Sequence, residues 1–575
     1  MTDVAAAPPG FPAGIEVHQL LFQNWDRSIS VPNMWTCVPQ TEADVVAVCN
    51  WAVGAKYQVR PRGIMHNWSP ITIAANATPG GNIMLVDTTK WLTAIHVDPP
   101  IAESPAQVWV QTGATMHDLM AALEHAEGGV GSAPGFSFAH IPAPGNITVG
   151  GALAINAHGT AIRTDLDDLS VPYGSLSNQI LAFTAVISDP NQPGTYVARS
   201  FRRGEGDDKA FLAHLGRAFL LNVTLQVCDN YNLRCESLVD ITAATLFANP
   251  TASDPAPYQS FAYLLAYSGR VEVIWFPVFP ENGVTPTSFP WVKVWTLRVS
   301  EHPITSREVK EPYNYRFSDN LPVALTNLYD LMVNDDPSLT PTFCRDAAAF
   351  TNAALQGEFL FEDSTDLWGP SKNTLLYVKD TTLLVTANGY AVQMRKVDVQ
   401  QAVADFTTKF TTMLAQFMSQ GLYPINSPLE IRVTNLDDPS KIVSVGRTAQ
   451  SPVISSLSLD PVAIQNGWDV AVWFDVLTVQ PKGDPQHAND FYAQLEAWVM
   501  NRFSVGARVM PEWSKGWGYT ASGPWTNDAY IQTIRQNFTT GRASDDNWQW
   551  EKETLAKYDS AGLFHAPLLD KLFGA

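Results

Sequence analysis

Hydrophobic and polar positions in the first part of the chain alternate between a helical period and the shorter period of strands. Val45, Cys49 and Ala52 recur at helical spacing. Thr41 precedes them, with Asp44 three residues later, as in a capping box. Apolar runs of strand length follow further along, at 83–87, 108–113, 180–188 and 220–228. Strands interleaved with helices in this way predict a first domain of mixed composition.

From residue 236 onward, strand-like and helical segments form separate runs. Strands are predicted at 261–267, 271–277, 292–299, 374–386, 429–434 and 470–478. Helices are predicted at 397–421 and 490–504, and residues 303–369 have the composition of loops and helices. Separate runs are typical of an antiparallel sheet flanked by helices, so the predicted fold class is α+β.

The length of the chain predicts more than one domain. With 575 residues it is too long for one compact core. The change in pattern places a first domain at residues 1–235 and a second at 236–533. The last residues, from about 534 to 575, have a helical pattern and are predicted to complete the first domain.

The charge balance narrows the class of partner. Lys and Arg number 36 and Asp and Glu 56, which gives a formal net charge of −20. Such an acidic chain is poorly suited to nucleic acid or an anionic membrane surface as its main partner. Its 18 tryptophans can line a large apolar pocket or fill a core, and both uses remain open.

Five cysteines are spread along the chain without a CxxC pattern, and no metal site is predicted. Cys228 and Cys235 could pair across a hairpin, but free buried thiols are favoured. No apolar stretch is long enough to span a membrane. The N-terminal residues lack the basic and apolar segments of a signal peptide, so we expect a mature secreted protein that carries an added Met.

Two segments with small residues are candidates for ligand binding. The first is Arg62-Gly63-x-x-His66, where Gly63 permits a tight turn or close backbone approach and the next N–H groups can form an anion nest. An ordinary loop with a surface histidine would have the same pattern. The second, 150–154, removes side-chain bulk so that a flat ligand or another chain can approach; tight helix packing is the alternative.

Glu430 and Arg432 are candidates for acid–base chemistry. They lie two positions apart on a predicted strand, so both side chains point to the same face. A carboxylate beside a guanidinium is expected to stay ionised and to be able to accept a proton. A surface salt bridge would have the same spacing.

Together these segments resemble a known flavoprotein family. Arg62-Gly-x-x-His66, the loop 144–159 and the strand pair around Ile180 and Val223 are similar to the FAD-binding half of the vanillyl-alcohol-oxidase family. The segments 271–277, 430–432 and 513–515 resemble its aldonolactone and alditol oxidase branch. Chain length and motif wording are most similar to the type II cholesterol oxidases, in which FAD is covalently attached.

The resemblance implies the two-domain fold of that family, with FAD bound by residues 1–235 and substrate by a large antiparallel sheet in 236–533. His66 matches the histidine that bonds the flavin 8α-methyl group. The sequence departs from the common Arg-Gly-Gly-Gly-His-Ser wording at Ile64, Met65 and Asn67. The other cofactor-binding residues that the resemblance implies are Arg62, Gly63, Ile64, Met65, Asn67, Ser69, Pro144, Gly145, Asn146, Thr148, Gly150, Gly151, Asn156, His158, Gly159, Ser175 and Ile180.

The resemblance also implies four catalytic residues. Oxidising a secondary alcohol needs a base for the hydroxyl proton and an acceptor for the hydride, which is the flavin. Glu430 is the candidate base, and Arg432 is expected to stabilise developing alkoxide charge. Glu272 matches a glutamate that pairs with this arginine and controls the access of oxygen. Lys515 matches a lysine near flavin N1 that favours the reduced, anionic flavin.

The function implied is FAD-dependent oxidation of the 3β-hydroxyl of cholesterol and related sterols. Dioxygen would be reduced to hydrogen peroxide, and the double bond would move from Δ5 to Δ4. The partners implied are a sterol, which could be extracted from membranes, and O2, with no stable protein partner. A polyol or aldonolactone oxidase of the same family, and a flavin-free binding protein on the same fold, remain alternatives. The many Trp, Phe and Leu residues of the second half favour the sterol.

Overall fold

The structure of the chain is a computed structural model. It describes residues 6–101, 105–165, 169–250, 258–281, 284–298, 301–479 and 486–574. The strands are β1 Glu16–Gln23, β2 Ser30–Val38, β3 Gln58–Arg62, β4 Ile83–Asp87, β5 Ile95–Asp98, β6 Gln107–Gln111, β7 Phe136–Ser137, β8 Ile180–Ser188, β9 Tyr196–Arg202, β10 Phe219–Gln226, β11 Cys228–Asp229, β12 Asn232–Leu238, β13 Val271–Trp275, β14 Trp291–Arg298, β15 Arg307–Glu308, β16 Asp366–Pro370, β17 Thr386–Met394, β18 Leu429–Asn435, β19 Val470–Thr478 and β20 Arg508–Pro511.

The helices are α1 Glu42–Ala55, α2 Met116–Glu124, α3 Val149–Ala154, α4 Ala243–Leu246, α5 Phe261–Ser268, α6 Val323–Asn334, α7 Thr340–Leu355, α8 Ser371–Leu375, α9 Val399–Met418, α10 Pro461–Asn466, α11 Gln486–Arg502, α12 Asp528–Asn537, α13 Trp548–Tyr558 and α14 Pro567–Phe573. Short 3₁₀ turns lie at Leu176–Gln179, Asp207–Phe211, Arg316–Asp319, Pro337–Leu339, Lys396–Asp398 and Pro439–Lys441.

The first half of the chain builds two main sheets. One has the order β1-β2-β4-β3, with β2, β4 and β3 parallel, and α1 connects β2 to β3. The other is antiparallel, with the order β5-β6-β10-β8-β9. The predicted capping box is present at α1, where Thr41 accepts from the backbone of Asp44 and Asp44 accepts from the backbone of Thr41. The mixed α+β first domain is therefore confirmed.

The second half is organised by one nine-stranded sheet. Its order is β15-β16-β12-β14-β13-β18-β19-β17-β20, and its pairs are antiparallel except β15 with β16. Helix α9 covers one face with buried Phe406, Phe410 and Met413. The predicted large antiparallel sheet flanked by helices is confirmed. Strand β12 begins just before the predicted boundary at residue 235.

Two strand predictions are wrong. Residues 261–267 form helix α5, because Ser260 caps it through the Tyr263 N–H and Gly269, with φ of 72°, ends it. The strand predicted at 374–386 is instead the end of α8 and an irregular segment, and β17 begins only at Thr386. This segment runs along the first domain, where the N–H groups of Tyr377 and Val378 donate to Ala143 O.

The C-terminal segment contacts the first half of the chain at several points. Tyr196 Oη donates to Asp559 Oδ1 at 2.5 Å, and Leu563 and Phe564 join the core around α1. All five cysteines are buried free thiols, as favoured from the sequence. No helix in the described ranges combines the length and apolarity needed to cross a membrane.

Arg60, on β3, joins three parts of the first domain. It is 2% exposed, and its guanidinium donates to four backbone carbonyls. These acceptors are Thr72 O at 3.1 Å, Ile71 O at 2.8 Å, Gly216 O at 2.6 Å and Phe564 O at 2.7 Å. Because the last of these carbonyls belongs to the C-terminal segment, Arg60 holds the two ends of the chain together.

Replacement of Arg60 by Met should therefore destabilise the protein strongly. Four buried carbonyls would lose their donor, and at ~1 kcal/mol each the expected loss is about 4 kcal/mol in the free energy of unfolding, measured by denaturant titration. Arg395→Met is the control. Arg395 forms an exposed pair with Asp398, so its removal should cost less than about 1 kcal/mol. Equal effects of the two substitutions would contradict this role for Arg60.

Candidate active site

One cavity of about 360 Å³ lies where the two halves of the chain meet. The loop 62–67 and helix α3 line it from the first half, and strands β13, β18 and β19 line it from the second. Both small-residue segments singled out from the sequence are therefore present at one site, together with Glu430 and Arg432.

The loop after β3 approaches α3 closely at Gly63. A Cβ atom on Gly63 would lie 2.3 Å from Thr148 Oγ1, so the glycine serves close approach, and the left-handed φ of 62° falls at Met65. Within the described residues, the N–H groups of Ile64, Met65 and His66 have no acceptor. Such a run of free N–H groups is an anion nest, and it can hold a pyrophosphate.

His66 is held between two indole rings. Its ring stacks on Trp25 at 3.9 Å between centroids and meets Trp68 edge-on at 5.7 Å. Burial, aided by the charge of Lys515, lowers the pKa of His66 to about 3. The ring is therefore neutral at physiological pH, with its orientation fixed by aromatic contacts.

The segment 149–154 is a helix, which corrects the loop that the resemblance implies for 144–159. Thr148 caps it through the Gly151 N–H. A Cβ on Gly150 would lie 2.7 Å from Thr112 Cβ, so packing requires this glycine, in agreement with the alternative of tight helix packing. The helix nevertheless lines the cavity, so packing and ligand access are both served.

Arg432 is shared by three carboxylates. Its Nε donates to Glu272 Oε1 at 2.8 Å, its Nη1 donates to Asp475 Oδ2 at 3.0 Å, and its Nη2 pairs with Glu430 Oε2. Glu272 and Asp475 are 1% exposed, whereas the side chain of Glu430 is 20% exposed and faces the cavity. The predicted pair on one face of β18 is therefore the exposed end of a buried charge network.

The expected effect of Arg432 on the pKa of Glu430 is outweighed in the structure. Burial raises the pKa of this carboxyl above its usual value and outweighs the opposing effect of Arg432. Burial alone would also raise the pKa of Glu272, but Lys293 and Arg432 together hold it below the usual value. Two glutamates on one arginine thus differ in proton affinity, and Glu430 is the stronger base.

Lys293, missed from the sequence, supports Glu272 from behind. It is fully buried, and its Nζ lies 3.6 Å from Glu272 Oε2 and over the ring of Tyr377. Tyr377 Oη in turn donates to Glu272 Oε2 at 2.5 Å. Burial lowers the pKa of Lys293 to about 8. The sequence did contain a signal for Lys293, which is a lysine within the apolar strand β14. Because a buried lysine almost always has a charged partner, it indicated an acidic residue nearby.

Lys515 continues the network on the other side of Arg432. Its Nζ lies 3.6 Å from Asp475 Oδ2 and 3.7 Å from Glu512 Oε1, and it sits over the Trp68 ring. Burial alone would lower the pKa of Lys515, but Asp475 and Glu512 raise it, so the ammonium stays charged. Asp475 and Glu512 were not singled out from the sequence, although Asp475 is a single charge within the buried strand β19.

His158 lies at the centre of the cavity wall. Its ring stacks on Trp473 at 3.7 Å between centroids, and its Nε2 is 4.0 Å from Glu512 Oε1. Burial lowers the pKa of His158 to about 3, so the ring is neutral. Asn156 precedes it with φ of 61°, and its buried Nδ2 has no partner in the described part of the chain.

Most residues predicted for the site line the cavity. These are Arg62, Gly63, Ile64, Met65, His66, Asn67, Pro144, Thr148, Gly150, Gly151, Asn156, His158, Gly159, Glu272, Glu430, Arg432 and Lys515. Five do not line it: Ser69, Gly145, Asn146, Ser175 and Ile180.

The five residues that lie away from the cavity are held elsewhere by local contacts. Ser69 Oγ donates to Trp513 O at 2.8 Å, and Ser175 is bonded to Asp437 through both its N–H and its hydroxyl. Ile180 begins β8 in the core. Gly145 and Asn146 lie one turn before α3, where Asn146 Nδ2 reaches Asp380 at 3.5 Å.

The residues at the cavity fit FAD. The free N–H groups at 64–66 suit a pyrophosphate, and the small residues of α3 leave room for a flat ring. Two buried donors in the cavity wall, Arg62 Nε and Asn156 Nδ2, have no partner in the described ranges and can serve a polar ligand. No cluster of His, Cys, Asp or Glu in these ranges is arranged to hold a metal ion.

Sequence comparisons match both halves of the chain to known families. Residues 35–190 match the FAD-binding domain profile, and residues 232–574 match the profile of the cholesterol oxidase substrate-binding domain. No curated protein matched in the corresponding search.

Solved structures of similar chains cover almost the whole molecule. A solvent-stable cholesterol oxidase is 42% identical, with a TM-score of 0.89 over 99% of this chain and 100% of that chain. The cholesterol oxidase of B. sterolicum is 33% identical, with a TM-score of 0.89 over 99% of each chain. A histidine-to-alanine variant from Brevibacterium sterolicum, also 33% identical, gives a TM-score of 0.88 over 99% of each chain.

Substitution of Gly63 by Ala should lower the flavin content of the purified protein. The added Cβ would strike Thr148 Oγ1, and displacement of the loop should cost about 1–3 kcal/mol of packing energy. Flavin absorbance per chain measures the effect. The double substitution Gly63→Ala, Thr148→Ala should restore part of the loss because it removes the struck atom.

Gly54→Ala is the matched control, since nothing lies within 4 Å of a Cβ at that position. Wild-type flavin content in Gly63→Ala would contradict the close approach. A double variant no better than the single one would show that Thr148 is not the obstacle.

Proposed function

We propose that this chain, which belongs to the cholesterol oxidase family of FAD-binding proteins, oxidises the 3β-hydroxyl of cholesterol and related sterols. The family fixes FAD as cofactor and a sterol as substrate. When bound, FAD supplies the hydride acceptor. The observation that carries the proposal is that one cavity joins the anion nest, His66 and the Glu430–Arg432 pair.

The part of the cavity formed by the second domain suits an apolar polycyclic substrate. Leu375, Val378, Leu383 and Leu477 contribute to its wall, beside the aromatic side chain of Trp295. A polyol would need polar partners spaced along its length. The charged side chains of the second domain that line the cavity instead form one cluster, beside which a single hydroxyl can be held; they are Glu272, Glu430, Arg432, Glu512 and Lys515.

Glu430 is the proposed base. Its carboxylate faces the cavity and takes the proton of the 3β-hydroxyl. Hydride leaves the carbon that bears this hydroxyl, so the alcohol becomes a ketone. The raised pKa of Glu430 makes it a stronger proton acceptor than an ordinary carboxylate. Arg432 stabilises the negative charge that develops on the substrate oxygen.

The same carboxylate can carry out the Δ5 to Δ4 isomerisation. Once the ketone has formed and Glu430 has released the hydroxyl proton to water, the carboxylate removes a proton from C4, and Arg432 stabilises the dienolate oxygen. Glu430 then returns the proton to C6, so the double bond moves without net loss of atoms. This step needs a base that both accepts and returns a proton, and the raised pKa of Glu430 supports that role.

Two further roles are proposed by family resemblance and supported by the geometry. His66 forms the covalent link to the flavin 8α-methyl group, and its neutral ring, clamped between Trp25 and Trp68, has a free lone pair for that bond. Glu272 holds Arg432 from the buried side, so that movement of the pair controls the access of oxygen. Hydrogen peroxide is the proposed second product.

Glu430→Gln should abolish most sterol oxidation and leave flavin binding intact. Loss of a general base lowers kcat by about 100-fold or more, measured by ketone formation. In the wild type, kcat/KM should fall as the pH falls through the raised pKa of Glu430, because the base is then protonated. The variant should lack this acidic limb.

The matched control is Glu553→Gln, on the exposed face of α13, where Glu553 accepts a hydrogen bond from Gln549. It should keep both rate and pH profile. Normal turnover of cholesterol by Glu430→Gln would show that another group is the base.

His66→Ala should leave FAD dissociable. In the wild type, yellow colour should remain with the protein pellet after acid precipitation, whereas in the variant it should pass into the supernatant. His96→Ala, at an exposed site on β5, is the control and should keep its colour in the pellet. Acid-stable colour in His66→Ala would contradict the assignment of the link.

A further inference from the structure

Asp475 and Glu512 form a carboxyl pair beside the cavity. Asp475 is 1% exposed and the side chain of Glu512 is 12% exposed. The two side chains lie within hydrogen-bonding distance of each other. Neither residue is used in the proposed oxidation of the sterol hydroxyl, although Glu512 lines the cavity.

The two carboxyl groups can form a hydrogen bond with each other only if one of them is protonated. Asp475 Oδ1 and Glu512 Oε2 are buried and accept nothing from any donor in the described ranges. Both converge on Gly389, where an added Cβ would lie 2.3 Å from Asp475 Oδ1 and 2.6 Å from Glu512 Oε2. Two facing carboxylate oxygens repel, so a proton between them satisfies both.

The surrounding charges decide which residue carries that proton. Asp475 Oδ2 faces two cations, Arg432 and Lys515, which overcome burial and hold the pKa of Asp475 below its usual value. Burial and the neighbouring Asp475 raise the pKa of Glu512 well above its usual value. Lys515, whose Nζ lies 3.7 Å from Glu512 Oε1, opposes this rise without cancelling it, and His158, 4.0 Å from the same oxygen, is neutral. Glu512 is thus the acid and Asp475 the acceptor.

We propose that Glu512 stores a proton on its contact with Asp475 and donates it when dioxygen is reduced, an inference that rests on the proposed oxidase function. Reduction of O2 to hydrogen peroxide requires two electrons and two protons. The hydride from the substrate carbon accounts for both electrons and one proton. Glu512 supplies the second proton to the hydroperoxide anion. It then takes up a proton from the cavity, which balances the proton that the substrate hydroxyl gave to Glu430.

Glu512 is better placed for this role than Lys515. Ionised Asp475 raises the pKa of Lys515, so the ammonium releases a proton less readily. Lys515 is therefore a fixed positive charge that favours formation of the anion, whereas Glu512 is the acid that protonates it. Glu512 Oε1, on the side of His158 and Lys515, places the acid at the cavity wall.

The stored proton can be observed without turnover. Infrared spectra of the purified protein at neutral pH should contain the carbonyl stretch of a neutral carboxylic acid that shifts with isotope-labelled glutamate. Glu512→Gln should remove one such band, since the amide donates to Asp475 as the acid does but cannot ionise. Glu551→Gln, at a fully buried glutamate with a raised pKa outside the cavity, is the matched control and should remove a different band.

The role in oxygen reduction is tested by reducing the bound flavin with light instead of sterol and mixing it with O2. Glu512→Gln should slow reoxidation by about 100-fold, the usual contribution of a general acid, and Glu512→Asp should recover part of the rate. Glu551→Gln should reoxidise at the wild-type rate. Because no sterol is used, failure of the proposed sterol activity would leave this measurement intact.

An unchanged carboxylic acid spectrum in Glu512→Gln would overturn the stored proton. Wild-type reoxidation in that variant would overturn the donor role. If Glu512→Gln bound no flavin, the infrared comparison and the reoxidation rate of Glu512→Asp would still decide. The rate of Glu512→Leu, which has no acidic proton, is then the reference, and Glu512→Asp as slow as Glu512→Leu would overturn proton donation.

Discussion

The site depends on one guanidinium that three carboxylates share. Arg432 meets Glu272, Glu430 and Asp475, and burying these charges is tolerable only because each carboxylate has a charged or hydrogen-bonded partner. Lys293 and Lys515 add positive charge at the two ends. The network therefore holds the pKa values of Glu272 and Asp475 low and leaves Glu430, at the cavity, with the raised proton affinity that catalysis needs.

The sequence predicted the parts of the site that depend on local spacing. Alternation along a strand put Glu430 and Arg432 on one face, and small residues marked α3. It did not predict Lys293, Asp475 or Glu512, because their partners come from strands or loops distant in the chain. It also misjudged the direction in which the pKa of Glu430 is shifted, since burial is set by the whole fold and here outweighs the neighbouring charge.

The fold followed the same division between local and distant determinants. Capping at Thr41 and the apolar strand β19 were predicted from the sequence, because cap chemistry and continuous apolar runs are local signals. Helix α5 was mistaken for a strand, since its apolar run is short and fits either period. The segment after α8 was also misassigned, because it is held by contacts to Ala143 in the other domain.

The carbonyl contacts of Arg60 constrain how the protein is made. The bond to Phe564 O joins residues 504 positions apart. On the ribosome, the first domain must wait until nearly the whole chain has emerged before its last carbonyl can close on β3. The domain that starts first is thus completed last, and a nascent chain that lacks its final segment presents an incompletely bonded core to chaperones and proteases.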